Sequence, residues 1–84
     1  MTRILTLYSR FGCHLCESME RALAEHRGRL DFTVRTVDVD GDPQLRSRFD
    51  DKVPVLMEGD REICRYVLDE HALETCLNGP RRAR

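Results

Sequence analysis

Apolar residues open the chain in a short run, Ile4, Leu5, Leu7 and Tyr8, with little polar interruption. That density is what a central strand buried on both faces requires. Ser9-Arg10-Phe11-Gly12 breaks the run as a turn, and from Cys13 to Arg27 the period changes. Leu15, Met19, Ala22 and Leu23 fall at helical spacing, Glu17 and Arg21 are set for an i,i+4 pair, and Gly28 is a C-terminal stop. Leu30 to Val39 predicts a second strand with broken alternation: Phe32 and Val34 share one parity, Val37 and Val39 the other. Either a bulge near Thr36 or burial on both faces accounts for that.

Asp40-Gly41-Asp42-Pro43 predicts a turn that ends in a helix, with Asp42 as N-cap and Pro43 at the first helical position. Leu45 and Phe49 are the apolar pair of this short helix, which ends before Asp50-Asp51. Val53-Pro54-Val55-Leu56-Met57 predicts a third strand whose proline donates no ladder hydrogen bond. Glu58-Gly59-Asp60-Arg61 reads as a hairpin turn into an antiparallel fourth strand, Glu62 to Arg65. A last helix runs from an N-cap at Asp69 to Asn78, with Ala72, Leu73, Cys76 and Leu77 as its apolar stripe and Gly79-Pro80 as its stop. The order is β-α-β-α-β-β-α, an α/β class chain, with residues 1–79 as one domain and 80–84 as a frayed, flexible basic tail.

Length and charge narrow the function. The chain of 84 residues makes one small domain. A net charge of −1 gives no footprint for nucleic acid. No apolar run approaches the eighteen or so residues of a membrane span, and Met1-Thr2-Arg3 leads into the first strand without a signal-peptide pattern. The expected setting is the cytoplasm, where thiols stay reduced and a Cys-x-x-Cys motif is catalytic or metal-binding rather than structural.

That motif is Cys13-His14-Leu15-Cys16, placed between the first strand and the first helix. The nucleophile is thiolate, and the free N–H groups and dipole of a helix N-terminus favour the charged form of Cys13. Cys16, one turn later, is in reach of a mixed disulfide formed on Cys13. The expected step is attack by Cys13 on a substrate disulfide, followed by resolution by Cys16. His14 either stabilises the Cys13 thiolate or stands in solvent. Arg10 either raises the thiolate population or binds a carboxylate, or else is a solvated turn residue. Tyr8 and Phe11 read as core or rim packing, and His26 and His71 as helix-surface residues. Cys76 fits a buried helical stripe. Cys64 points either to the sheet or to solvent, where it would be a third redox thiol or a glutathionylation site. Two other functions compete with the redox enzyme: a zinc or iron–sulfur module, and a non-catalytic interaction domain. A structural zinc site commonly uses two close pairs of ligands, and no second Cys-x-x-Cys is present. A c-type haem site is excluded because Glu17 follows Cys16.

The motif in this context resembles the thioredoxin superfamily in its smallest form, and more closely the small bacterial glutaredoxin-like proteins. The residues that carry the likeness are Leu5-Thr6-Leu7-Tyr8-Ser9-Arg10-Phe11-Gly12-Cys13-His14-Leu15-Cys16, then Val37-Asp38-Val39-Asp40, Asp42-Pro43 and Val53-Pro54-Val55-Leu56. The resemblance implies a minimal thioredoxin fold, a four-stranded mixed sheet with helices on both faces. It implies a cis Pro54 beside the motif, with Val53 backbone groups pairing with an extended substrate. It also implies glutathione or a disulfide-containing protein as partner. The usual Pro-Tyr between the cysteines is His14-Leu15 here. The paired glycines ahead of the last helix are replaced by Cys64-Arg65-Tyr66, so Asp69 is the residue left to meet a γ-glutamyl amine. The expectation is a thiol–disulfide oxidoreductase with no bound cofactor and no metal. It acts as a monomer without nucleic acid or membrane, and glutathione is a candidate co-substrate.

Overall fold

A computed structural model of the chain describes residues 3–79. The tail expected over 80–84 therefore lies outside the described residues. The strands are β1 (Arg3–Ser9), β2 (Phe32–Asp38), β3 (Val55–Glu58) and β4 (Arg61–Arg65). The helices are α1 (His14–Arg27), α2 (Pro43–Phe49) and α3 (Glu70–Asn78), and a 3₁₀ turn, Val39–Gly41, joins β2 to α2. The sheet is four-stranded in the order β2-β1-β3-β4. β1 runs parallel to β2 and antiparallel to β3, and β3 pairs antiparallel with β4.

Alternation along the strands sorts the core into two halves. Leu5, Leu7 and Leu56 pack with Phe32, with Met19 and Leu23 of α1 and with Leu73 of α3. Val55 and Met57 turn the other way, toward Phe49 of α2, Val39 and Cys16. Helices therefore cover both faces, and the architecture is the minimal thioredoxin fold. Each fully buried leucine contributes about 1.5–3 kcal/mol relative to leaving it in water.

The strand sealed on both faces is β3, whose four residues are all buried. β1 is central but not sealed, because Ile4 stays 57% exposed. The helix on that side, α2, is seven residues long. It reaches Tyr8, whose ring stacks on Phe49 with centroids 4.5 Å apart.

No bulge interrupts β2, since its pairing with β1 runs in unbroken register from Arg3↔Phe32 to Ser9↔Asp38. The parity changes because Val39 has already left the strand. It sits in the 3₁₀ turn, capped by Asp38, and is buried in the other half of the core. The bulge lies instead in β4, where Leu56 faces Cys64 and Met57 faces Glu62, with Ile63 the extra residue. The hairpin turn places Gly59 at φ 60° in its first loop position, where a side chain would be strained.

Caps fall where the sequence puts them. Asp42 accepts the Gln44 N–H at 2.9 Å with Pro43 at the start of α2, and Asp69 accepts the Ala72 N–H at 3.0 Å. Arg21 turns to Ser18 Oγ, 3.5 Å away, rather than to Glu17. His26 is buried, not a surface residue. Its Nδ1 meets the Ala22 carbonyl at 2.8 Å and its Nε2 lies 3.7 Å from Glu70 Oε1, linking α1 to α3. At the far end of α3, the Arg3 guanidinium bonds both Glu58 oxygens at 2.6 and 2.7 Å. It also donates to the carbonyls of Cys76, Leu77 and Gly79 at the end of the helix, where the Cys76 carbonyl accepts the Gly79 N–H as well. Among the described residues no helix is long and apolar enough to cross a membrane.

Candidate active site

β1 delivers the chain to the turn Arg10-Phe11-Gly12, which closes with the Cys13 N–H donating to the Arg10 carbonyl at 3.2 Å. Gly12 adopts φ 78°, and an added Cβ would meet nothing within 4 Å. The requirement there is conformational freedom rather than space. Cys13 follows in extended conformation as the N-cap of α1, and its Sγ accepts the Cys16 N–H at 3.1 Å. The two sulfurs are joined as a disulfide, with Cα atoms 5.2 Å apart. Accessibility is unequal: Cys13 is half-buried, while Cys16 is 2% exposed within the Phe49 half of the core.

The Val53–Pro54 peptide bond is cis. Both residues are buried, and Val53 packs in the same cluster as Cys16, against which Cys13 also packs. Neither the N–H nor the carbonyl of Val53 has a hydrogen-bond partner among the described residues. The structure therefore brings Cys13, Cys16, Val53 and Pro54 together and leaves one backbone edge open beside them.

Among the described residues, the side chains of the remaining expected residues make no hydrogen bond or ion pair with this group. His14 is exposed at the first position of α1. Arg10 spends its guanidinium on Asp40 at 3.1 Å and Asp50 at 3.4 Å, and the hydrogen bond to Asp40 raises its pKa further above the ordinary arginine value. Asp69 caps α3 through Oδ1, and among the described residues no hydrogen bond or ion pair joins its side chain to Cys13 or Cys16. Tyr8 is packed, as expected. Phe11 is not, being 95% exposed at the turn.

Cys76 is buried and Cys64 is half-buried against the larger half of the core. Burial pushes the Cys64 thiol pKa up, opposed by a hydrogen bond from the Asp69 backbone. Burial likewise raises that of Cys76, and its bond to Glu58 adds to the rise. Among the described residues no three His, Cys, Asp or Glu side chains gather in a group that could hold a metal ion.

A family model for the glutaredoxin-like domain (DUF836) matches residues 4–78. The chain belongs to that family. An uncharacterized protein of Mycobacterium tuberculosis is 39% identical over 72 residues, covering 80% of this chain and 74% of that protein. An uncharacterized protein of Mycobacterium bovis matches equally. Among solved structures, a protein from Nitrosomonas europaea superposes with TM-score 0.83 at 35% identity, covering 92% of this chain and 93% of that one. A protein from X. campestris gives 0.70 at 37% identity, covering 90% and 99%. The glutaredoxin-like domain and its Cys13–Cys16 disulfide are compatible with redox function.

One feature of this glutaredoxin-like domain escaped the sequence reading. Tyr66, just past β4, holds φ 70° with its N–H on the Pro54 carbonyl at 2.8 Å and its hydroxyl 3.5 Å from the Asp51 carbonyl. Leu15, Tyr66 and Val67 are exposed. The available signal was an apolar Tyr66-Val67-Leu68 run in a connection, where polar residues are the rule.

Proposed function

We propose that the chain is a thiol–disulfide oxidoreductase. The observation that carries this reading is the asymmetry of the pair: Cys13 is the half-buried N-cap of α1, and Cys16 is the buried partner bonded to it. In the dithiol form the α1 N-terminus favours thiolate at Cys13. Cys13 Sγ attacks one sulfur of a substrate disulfide, forming a mixed disulfide and expelling the other sulfur as thiolate. Cys16 thiolate then attacks Cys13 Sγ, closing the Cys13–Cys16 disulfide and releasing the second substrate thiol. Two electrons pass from the protein dithiol to the substrate, and a thiol donor such as glutathione returns them. The open backbone edge of Val53 pairs with substrate in extended form, as a strand adds to a sheet edge. His14 and Arg10 are the residues assigned to tune the thiolate, and Asp69 to meet an amine of the substrate.

A glutathione redox titration, with mass spectrometry counting disulfides at each poise, tests the reading. A two-electron transition confined to the Cys13–Cys16 peptide is expected. A midpoint near about −270 mV marks a reductant, and one well above about −200 mV marks an oxidant or isomerase. If these thiols stay reduced throughout the range, the dithiol mechanism is wrong. Zinc or colour in the purified protein would then favour the metal module.

A further inference from the structure

A groove of about 240 Å³ runs between α1 and the connection from β4 to α3. Leu15, Met19 and Ala22 form one wall and Tyr66, Val67 and Leu68 the other, with Glu70 the charged side chain in the lining. Leu15 is 43%, Tyr66 40% and Val67 68% exposed. Apolar residues scattered singly on a surface are ordinary, whereas a set gathered in one concavity marks a contact site.

Both walls adjoin the redox pair. Leu15 stands between Cys13 and Cys16, and the Tyr66 N–H is held by the carbonyl of Pro54, next to the open edge of Val53. Tyr66 also occupies the left-handed region, which costs a bulky residue about 1 kcal/mol or more and glycine almost nothing. That conformation accompanies the bond of the Tyr66 N–H to the Pro54 carbonyl, which fixes Tyr66 in the groove lining.

We infer that this groove is the side-chain subsite for a polypeptide substrate. It takes an apolar residue of an extended, disulfide-bearing segment whose sulfur reaches Cys13. The inference rests on the thiol–disulfide reading above. In an extended chain every second side chain returns to the same side. Backbone pairing at Val53 then supplies affinity, and the groove supplies selectivity.

Charge favours the same occupant. Glu70, whose Oε1 lies 3.7 Å from His26 Nε2, keeps a side chain that is 66% exposed, while Arg10 is engaged by Asp40 and Asp50, and Arg65 by Glu62. A peptide with a lysine beside its apolar residue complements that rim. Glutathione brings two carboxylates and no apolar side chain to fill the groove.

The test uses the dithiothreitol-reduced protein and peptides whose single cysteine is a mixed disulfide with 2-nitro-5-thiobenzoate. Attack by Cys13 on the peptide sulfur releases the coloured thiolate, and Cys16 then frees the peptide thiol and closes the protein disulfide. One leucine is scanned through the three positions on either side of the cysteine. At one position it should raise the second-order rate constant about tenfold. Lysine beside it should exceed glutamate. In Val67→Glu and Tyr66→Gly the leucine effect should shrink to within about twofold.

A flat scan alongside normal turnover of bis(2-hydroxyethyl) disulfide overturns the groove assignment and leaves the redox reading standing. No turnover of either substrate overturns both. Glutathione disulfide reacting faster than every peptide overturns the polypeptide as occupant. A serine-for-cysteine peptide gives a readout free of chemistry. It should shift the amide NMR signals of Leu15, Ala22, Val67 and Leu68, and unmoved signals overturn the proposal.

Discussion

The Cys16 N–H donates to Cys13 Sγ across 3.1 Å, so one sulfur is at once the cap of α1 and the accessible half of the disulfide. Helix capping and the disulfide therefore share an atom, and substitutions at Cys13 separate the two. Serine caps a helix well and cannot form a disulfide, whereas alanine does neither. Compared in the reduced state, Cys13→Ala should be less stable than Cys13→Ser by about 1 kcal/mol. Both should lose turnover completely. Cys16→Ser should instead accumulate a mixed disulfide with substrate, seen as an added mass on the Cys13 peptide. Chemical denaturation and intact mass measure the two effects on the same samples.

Asp69 has a structural duty that any ligand assignment must be measured against. Its Oδ1 accepts the Ala72 N–H at 3.0 Å, which caps α3. Asp69→Ala should cost about 1 kcal/mol and lower Tm by about 4–8 °C, as expected for a domain of this size. Asp69→Asn keeps the cap and should restore most of that stability. If Asp69 also meets an amine of the substrate, Asp69→Asn will raise KM for glutathione disulfide while Tm stays near that of the parent chain. An unchanged KM would confine the residue to capping.

Signals local to a few residues were read correctly. Asp42-Pro43, Asp69 and the turn at Gly59 each specify their own geometry, and the structure has a cap or turn at each. The pairing of Cys13 with Cys16 is equally plain because the two are one helical turn apart in the sequence. What was misread depends on which surface the chain meets later. Ile4 reads as buried, but the helix on that side is too short to reach it. His26 reads as surface, yet it continues the buried stripe Cys16, Met19, Leu23 at steps of three and four residues. Leu15 and Ala22 read as part of that stripe from spacing alone, which turns the expected buried face about one residue away from Cys16 and His26. Val39 belongs to the core but not to the strand, so the broken parity of the second strand had a third explanation. Tyr66 carries no local cue, since a positive φ at a tyrosine is set by the Pro54 carbonyl it bonds.

The buried pair of Arg3 and Glu58 ties the start of β1 to the end of β3 and to the last turn of α3. Removing one member takes the opposite charge away from the other in a poorly solvated place, which is the costly way to alter such a pair. Glu58→Gln should destabilise by about 2–3 kcal/mol. The double change Arg3→Met with Glu58→Leu should recover much of that loss, because it removes both desolvation penalties together. Denaturant unfolding of Arg3→Met, Glu58→Leu and the double variant measures the coupling. Additive losses would mean the two side chains act independently.

Cys76 gives the protein a stability that depends on pH in a direction fixed by its surroundings. Its thiol is buried and donates to Glu58 Oε1 at 3.3 Å, and burial, followed by that bond, raises its pKa. Cys64 is shifted the same way by its own burial. A folded-state pKa above the unfolded one means the unfolded chain gives up its proton first. The full stability is thus present below the unfolded thiol value of about 8.5 and is lost as pH rises from there toward the folded value. For one thiol the loss proceeds at no more than about 1.4 kcal/mol per pH unit. Tm should therefore be level from about pH 7 to pH 8 and fall above about pH 8.5. Cys76→Ser keeps a donor to Glu58 but does not ionise in this range, so its alkaline fall should be shallower than that of the parent chain. Cys64→Ser should flatten the fall further. Equal slopes in the parent chain and in both variants would show that these thiols do not govern the alkaline limb.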